Sequence, residues 1–171
     1  MQRPSLRQTS LVLSLLCLLS ACGFQLRGVG GTELPESWKT MHLSTKNPNG
    51  ELSRELQNTF SAHEVVWVEK EDANYTLTVG QERFRQRNLS INAQARASEF
   101  ELTMSTNFSV VNARGEVIIA QSEATVVSQM ENDPANVVGK AEEVRILKAE
   151  MRTDLIRQIL RRIGYFATSN S

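Results

Sequence analysis

Apolar and polar residues alternate along this chain in two periods, and the switches between them divide it into elements. Phe100, Leu102, Met104, Thr106, Phe108 and Val110 fall on every second position, with Glu99, Glu101, Thr103, Ser105 and Asn107 between them. Period two sorts side chains onto opposite faces of a strand, so a long strand is predicted from Phe100 to Val110 and slightly beyond. Asn112-Ala113-Arg114-Gly115 then reads as a hairpin turn, with Gly115 available for positive φ. Residues 116–129 form the return strand. Ile118, Ala120, Ala124 and Val126 are expected on one face, and Val117, Ile119, Thr125 and Val127 on the other. Two apolar faces fit a strand whose outer side meets a partner, or one that twists between two environments.

Upstream, Trp38 to Thr45 alternates moderately and predicts a first strand with Met41 and Leu43 on one face. Asn47-Pro48-Asn49-Gly50 is a turn signal. Leu52, Leu56 and Thr59 or Phe60 recur at helical spacing, which predicts a helix over 51–62. Val65 to Val68 is a short β-rich run. Tyr75, Leu77 and Val79 then alternate with Thr76 and Thr78 as a half-buried strand that can extend through Phe84 toward Arg87. That extension puts Arg83, Arg85 and Arg87 on one face. Three like charges there are tolerated most easily at a strand end in solvent, or where an anion binds.

Asp133-Pro134 supplies an N-cap and a first helical residue. Val137, Ala141, Val144, Leu147, Met151, Leu155, Ile159 and Ile163 then step by three or four, predicting an amphipathic helix of roughly eight turns that ends near Gly164. Arg157, Arg161 and Arg162 near its C-terminus suit the helix dipole. Two amphipathic helices each need a sheet face. The expected fold is therefore α+β, a two-layer sandwich with both helices on one face of a mixed four-stranded sheet.

The N-terminus follows a different pattern. Arg3 and Arg7 precede an apolar run from Leu11 to Ala21, about half of the roughly 20 residues that span a bilayer as a helix. This is the layout of a secretory signal peptide. Leu19-Ser20-Ala21-Cys22 resembles a bacterial lipobox, in which the cysteine is acylated with palmitate-type chains and becomes the first residue. An ordinary signal whose cut falls near a cysteine is the alternative. Two or three acyl chains anchor a protein firmly, since each buried CH₂ contributes about 0.8 kcal/mol. The expected organisation is a signal peptide over 1–21, a lipidated N-terminus and flexible tether over 22–37, a single domain over 38–166 and a short polar tail over 167–171. Gly28, Gly30, Gly31 and Pro35 give the tether its character. Gly23, standing where a retention signal would place Asp, favours the outer membrane by analogy with bacterial sorting.

Charge refines this picture. The whole chain has 19 basic and 19 acidic side chains, so no general affinity for nucleic acid is expected. The bases are clustered, however. Arg83 to Arg96 holds four arginines and no acid, and Lys140 to Arg162 holds seven bases against four acids. Such zones suit a local anionic ligand, or solvated faces paired with acids elsewhere. Cys17 leaves with the signal and an acylated Cys22 is no longer a thiol, so stability must come from packing without a disulfide. His42 and His63 are isolated, and no metalloprotease motif, nucleophile elbow or phosphate-binding loop is present. No enzyme activity, metal or cofactor is expected.

Several short motifs, in order, resemble the LPS-assembly lipoprotein family LptE. They are Cys22-Gly23-Phe24-Gln25-Leu26-Arg27-Gly28, Asn47-Pro48-Asn49-Gly50 followed by Leu52-Ser53-Arg54, Glu99-Phe100-Glu101-Leu102, and Asn132-Asp133-Pro134. The resemblance spans the mature chain. It implies the two-helix, four-strand sandwich and a non-catalytic protein of the Gram-negative outer membrane. Such a protein is lipid-anchored, with its domain on the periplasmic side or inside a partner barrel. It also implies a 1:1 plug complex with the β-barrel LptD, and binding of lipopolysaccharide during its transport to the cell surface. The basic positions of that family lie at the sheet tip and in the first turns of the last helix. Lys140 falls on the second. Ala93 stands where the family can carry a basic residue, and Arg96, Arg85 and Arg87 are the candidates to replace it. A pilot or scaffold lipoprotein for another outer-membrane barrel or secretion complex is the alternative.

Overall fold

In the computed structural model, which describes residues 34–91, 97–131 and 137–169, eight main elements follow one another. They are β1 (Thr40–Thr45), α1 (Glu51–Ser61), β2 (Val66–Trp67), β3 (Tyr75–Val79), β4 (Arg83–Ile91), β5 (Ala97–Asn112), β6 (Val117–Glu131) and α2 (Val137–Ser169). All belong to one compact unit, Thr32–Ser171. The signal peptide, Cys22, most of the tether, Ala93, Arg96 and the Asp133-Pro134 start signal lie outside the described residues.

The strand with the cleanest alternation is the spine of the sheet. β6 runs antiparallel along one edge of β5, from Glu99 opposite Glu131 to Val111 opposite Val117. β3 and β4 share the other edge, end to end. Between them Val79 faces Phe108 while Arg83 faces Ser105, so one extra residue is accommodated on the β3–β4 side as a bulge. Gly80 sits there. Its N–H donates to Asn107 O at 2.8 Å and its carbonyl accepts from Thr106 Oγ1 at 3.0 Å. A Cβ on Gly80 would lie 3.3 Å from Asn107 O, so this close approach suits glycine. β1 pairs parallel with both β3 and β2, which makes the sheet mixed.

The α+β sandwich stands, but the described sheet has six strands rather than four. Two causes account for the difference. The bulge divides the expected strand from Tyr75 toward Arg87 into β3 and β4, and the Val65–Val68 run contributes the two-residue β2.

A second bulge corrects the faces of β6. Phe108 faces Ser122 while Val110 faces Ile119, so an extra residue enters near Ala120 and the alternation changes phase. Ile119 is buried on the helix side together with Ala124 and Met130. Ile118 and Ala120, expected with Ala124, are half-buried and exposed respectively. Val117 and Val127 remain on the surface at 65% and 56% exposure.

Both helices cover the same face. Leu52, Leu56 and Phe60 of α1 join Met41, Leu77, Leu102, Met104 and Phe108 of the sheet in one core, which α2 completes with Leu155, Ile156, Ile159 and Ile163. The turn before α1 is fixed by Ser53, whose hydroxyl donates to Asn47 O at 2.7 Å. At the hairpin, Gly115 takes φ +81°, and Asn112 Oδ1 accepts from the N–H of Arg114 and Glu116. α2 has 33 residues, close to 50 Å at about 1.5 Å per residue. It continues past Gly164 because Ala167 is still buried, while the Thr168 and Ser169 hydroxyls bond back to Gly164 O and Tyr165 O. Leu34, expected in the tether, is also part of the core.

Candidate functional site

β1 ends at Thr45, opposite Val79, so β4, the first half of β5 and the last half of β6 continue as a three-stranded tip. Register fixes what each face of the tip displays. One face carries the rows Arg83–Ser105–Thr125, Arg85–Thr103–Val127 and Arg87–Glu101–Gln129. The helix-covered face carries Phe84–Met104–Val126, Gln86–Leu102–Ser128 and Asn88–Phe100–Met130. The three alternate arginines therefore share the outer face, as the continued strand predicts.

Their environments differ. Arg83 Nη2 meets Glu123 Oε1 at 2.7 Å. Arg87 grips Glu101 with two parallel bonds, Nε to Oε1 at 2.7 Å and Nη2 to Oε2 at 2.9 Å. Those bonds hold the Glu101 carboxyl below the usual carboxylate range. Arg85, between them, is exposed and has no ion-pair partner among the described residues.

Lys140 sits at the same end of the sheet but on its other face. Its Nζ lies 4.2 Å above the Phe100 ring, and Lys148 Nζ lies 4.1 Å above Phe84. A cation above a ring face is attracted by the ring quadrupole. Phe100 and Glu101 are neighbours on a strand and point to opposite faces, so Lys140 and Arg87 share an end without sharing a surface. The structure thus brings Arg85 and Arg87 together on the outer face and sets Lys140 apart on the helix side. Arg96 lies outside the described residues.

Sequence reasoning missed one site residue. Arg152 of α2 is only 8% exposed. Its Nε and Nη2 donate to Glu82 at 2.6 and 3.0 Å, and Nη2 also meets Glu51 at 2.8 Å. Next to it, Thr153 donates to Glu55. This network ties α2 to α1 and to the bulge from which the tip starts. The available signal was a cation beside Met151 at the border of the apolar stripe. Among the described residues, no three His, Cys, Asp or Glu gather as metal ligands, and no helix is long and apolar enough to cross a membrane.

A family model described as lipopolysaccharide-assembly, LptE, matches residues 38–163, most of the chain. The protein belongs to the LptE family. An LptE from Photorhabdus laumondii named as an LPS-assembly lipoprotein is 27% identical over 159 residues, covering 92% of this chain and 85% of the relative. An LptE of the same name from Pectobacterium atrosepticum is 27% identical over 161 residues, with the same coverage. Among solved structures, lipoprotein B from Nitrosomonas europaea matches with a TM-score of 0.71 at 24% identity, over 85% of this chain and 93% of that one. Rare lipoprotein B from Shewanella oneidensis gives 0.67 at 19% identity, over 76% and 97%. These two structural likenesses establish the fold of this LptE chain, while the family match establishes its membership.

Proposed function

We propose that the protein is anchored through an acylated Cys22 in the outer membrane, seats in an LptD-type β-barrel as a plug, and binds lipopolysaccharide with its sheet tip. Its role is binding without catalysis. The observation that carries the reading is the tip itself: Arg85 and Arg87 on one face and Lys140 on the other, at the end of the sheet that extends beyond β1. Arg87 already holds a carboxylate in the bidentate geometry that suits phosphate, and Arg85 beside it is exposed, with no ion-pair partner among the described residues. A phosphate arriving at Arg85 can share the Arg87 fork by displacing Glu101. Lysine at 140 adds a point charge on the helix side. Such a tip competes with divalent ions that bridge neighbouring anionic lipids, and so presents single molecules to the barrel.

The test is a charge-reversed variant carrying Arg85→Glu, Arg87→Glu, Arg96→Glu and Lys140→Glu. Lipopolysaccharide binding is expected to fall by tenfold or more, about 1.4 kcal/mol, with an unchanged circular dichroism spectrum. Unaltered binding would remove the tip from the reading. Co-purification of the unmodified protein with a secretin-type ring, and with no LptD-type barrel, would remove the plug.

A further inference from the structure

The fold treats the two long edges of the tip differently. β6 turns its outer edge toward α2, where Thr125 N–H donates to Gln158 Oε1 at 3.0 Å and Glu123 O accepts from Arg162 Nη1 at 2.8 Å. Among the described residues β4 has no such cover. β1 fills its lane only up to Thr45, and α2 lies over β5 and β6. Among the described residues β4 pairs with β5 alone.

Hydrogen-bond parity identifies the groups left over. In an antiparallel ladder, residues alternate between turning N–H and C=O toward one neighbour and toward the other. Thr125 and Glu123 turn theirs away from β5. Their partners Ser105 and Asn107 therefore face the β3–β4 side, which the bond from Gly80 N–H to Asn107 O confirms. Arg83, Arg85 and Arg87 then bond to β5. The backbone N–H and C=O of Phe84, Gln86 and Asn88 point into the vacant lane.

That lane opens as a cleft where β1 ends, lined by Thr45, Lys46, Arg54, Gly80, Gln81 and Glu82. Its acids are already engaged, because Arg152 binds both Glu82 and Glu51. Its exposed cations are not. Lys46, Arg54 and, one step along the strand, Arg85 have no ion-pair partner among the described residues. We propose that the β4 edge accepts an acidic, extended segment of a partner polypeptide, which joins the sheet as a strand in the lane that β1 vacates. Edge strands are usually kept short, blocked or charged across the edge. β4 is nine residues long, and its arginines project from a face, not across the edge. Strand addition would supply main-chain hydrogen bonds for affinity, and alternate acidic side chains for specificity. This site differs from lipid binding at the tip in its main ligands, the amides of Phe84, Gln86 and Asn88, and shares with it only the Arg85 side chain.

The probe is an end-blocked peptide of alternating Thr and Glu, roughly ten residues and about 33 Å when extended, added to the full chain in detergent. Residue-resolved hydrogen exchange is the readout. Exchange at Phe84, Gln86 and Asn88 is expected to slow by about tenfold or more, with Arg83, Arg85 and Arg87 unchanged because β5 already protects them. Lys46→Glu, Arg54→Glu and Arg85→Glu together are expected to weaken peptide binding by about tenfold. A matching peptide N-methylated at every residue keeps the charge but has no N–H to donate on either edge and crowds the β4 backbone with its methyl groups, and is expected to give no protection. Equal protection by that peptide overturns the proposal, as does no protection by the unmodified peptide at about 1 mM. Protection by phosphatidylglycerol vesicles but not by the peptide also overturns it, and assigns the edge to anionic lipid. The two peptides on the unmodified protein decide the matter even if the triple variant does not fold.

Discussion

One helix serves two regions of this molecule in different ways. From Met151 onward α2 buries Met151, Leu155, Ile156, Ile159, Leu160, Ile163 and Ala167 against α1 and the sheet. Before Met151, the same helix lies over the tip with only a half-buried stripe of Lys140, Val144, Leu147 and Lys148. A fully buried aliphatic side chain contributes about 1.5–3 kcal/mol. An exposed cation–π contact such as Lys148 over Phe84 contributes about 0.5–1 kcal/mol. The half of α2 over the base is therefore held by buried aliphatic side chains, and its half over the tip by weaker, more polar attachments that a ligand or a partner can replace. Regions that bind are commonly drawn from the low-stability part of a fold.

The sharpest way to break this contrast is to delete equivalent groups from both regions. Leu155→Ala empties a fully buried position and is expected to cost about 2–5 kcal/mol in urea unfolding. Leu147→Ala, in the half-buried stripe, is expected to cost about 1 kcal/mol or less. Equal losses would show that the tip half of α2 is as firmly packed as the base.

The boundary between the regions is Arg152, and it gives the next largest effect. Arg152→Met keeps much of the side-chain volume but releases Glu82 and Glu51. The expected loss is about 1.5–3 kcal/mol, the range for hydrogen bonds to charged groups. Glu82→Gln in the same background should add little, because the pair then no longer exists. Additive losses in that double-mutant cycle would show that the two side chains act independently and that no ionic clamp joins α2 to the bulge.

These same places separate what the sequence discloses from what it does not. β5 was legible because its helix-facing residues, Phe100 to Val110, are all buried and its partner face is polar throughout. α2 was legible because its apolar steps persist for most of its length. The two bulges were not, since alternation counts residues along one strand while a bulge is a property of two. That is why the Tyr75–Arg87 run became β3 and β4, and why Ile119 exchanged faces with Ile118 and Ala120. Gly80 offered a hint, as an isolated glycine inside a strand pattern, but nothing in the sequence chose between a bulge and a turn. Arg85 and Arg87 could be placed on a common face by period two alone. Their separation from Lys140 by the thickness of the sheet could not, because it depends on which face α2 covers. The β4 edge that no described strand covers was likewise invisible, because it exists only where β1 stops short.

The smallest expected effect is an acid response of the tip, set against the aliphatic core. Glu101 titrates below its ordinary value because Arg87 hydrogen-bonds to it, and Glu142 does so because of Arg145 on the loosely held part of α2. A carboxyl with a lowered folded-state pKa contributes stability that is fully present above its unfolded value, and loses it as the pH falls through the folded one. Lowering the pH from 7 to about 3 should therefore loosen the Arg87–Glu101–Gln129 row and the start of α2. The Leu155–Ile163 core has no such pair and should keep its exchange protection. Hydrogen exchange corrected for the intrinsic effect of pH reads both regions in one experiment. Glu101→Gln should remove the acid response of its own row while leaving that of α2. If the row in that variant still loosens over the same pH range, the Arg87 fork is a bystander in the stability of the tip.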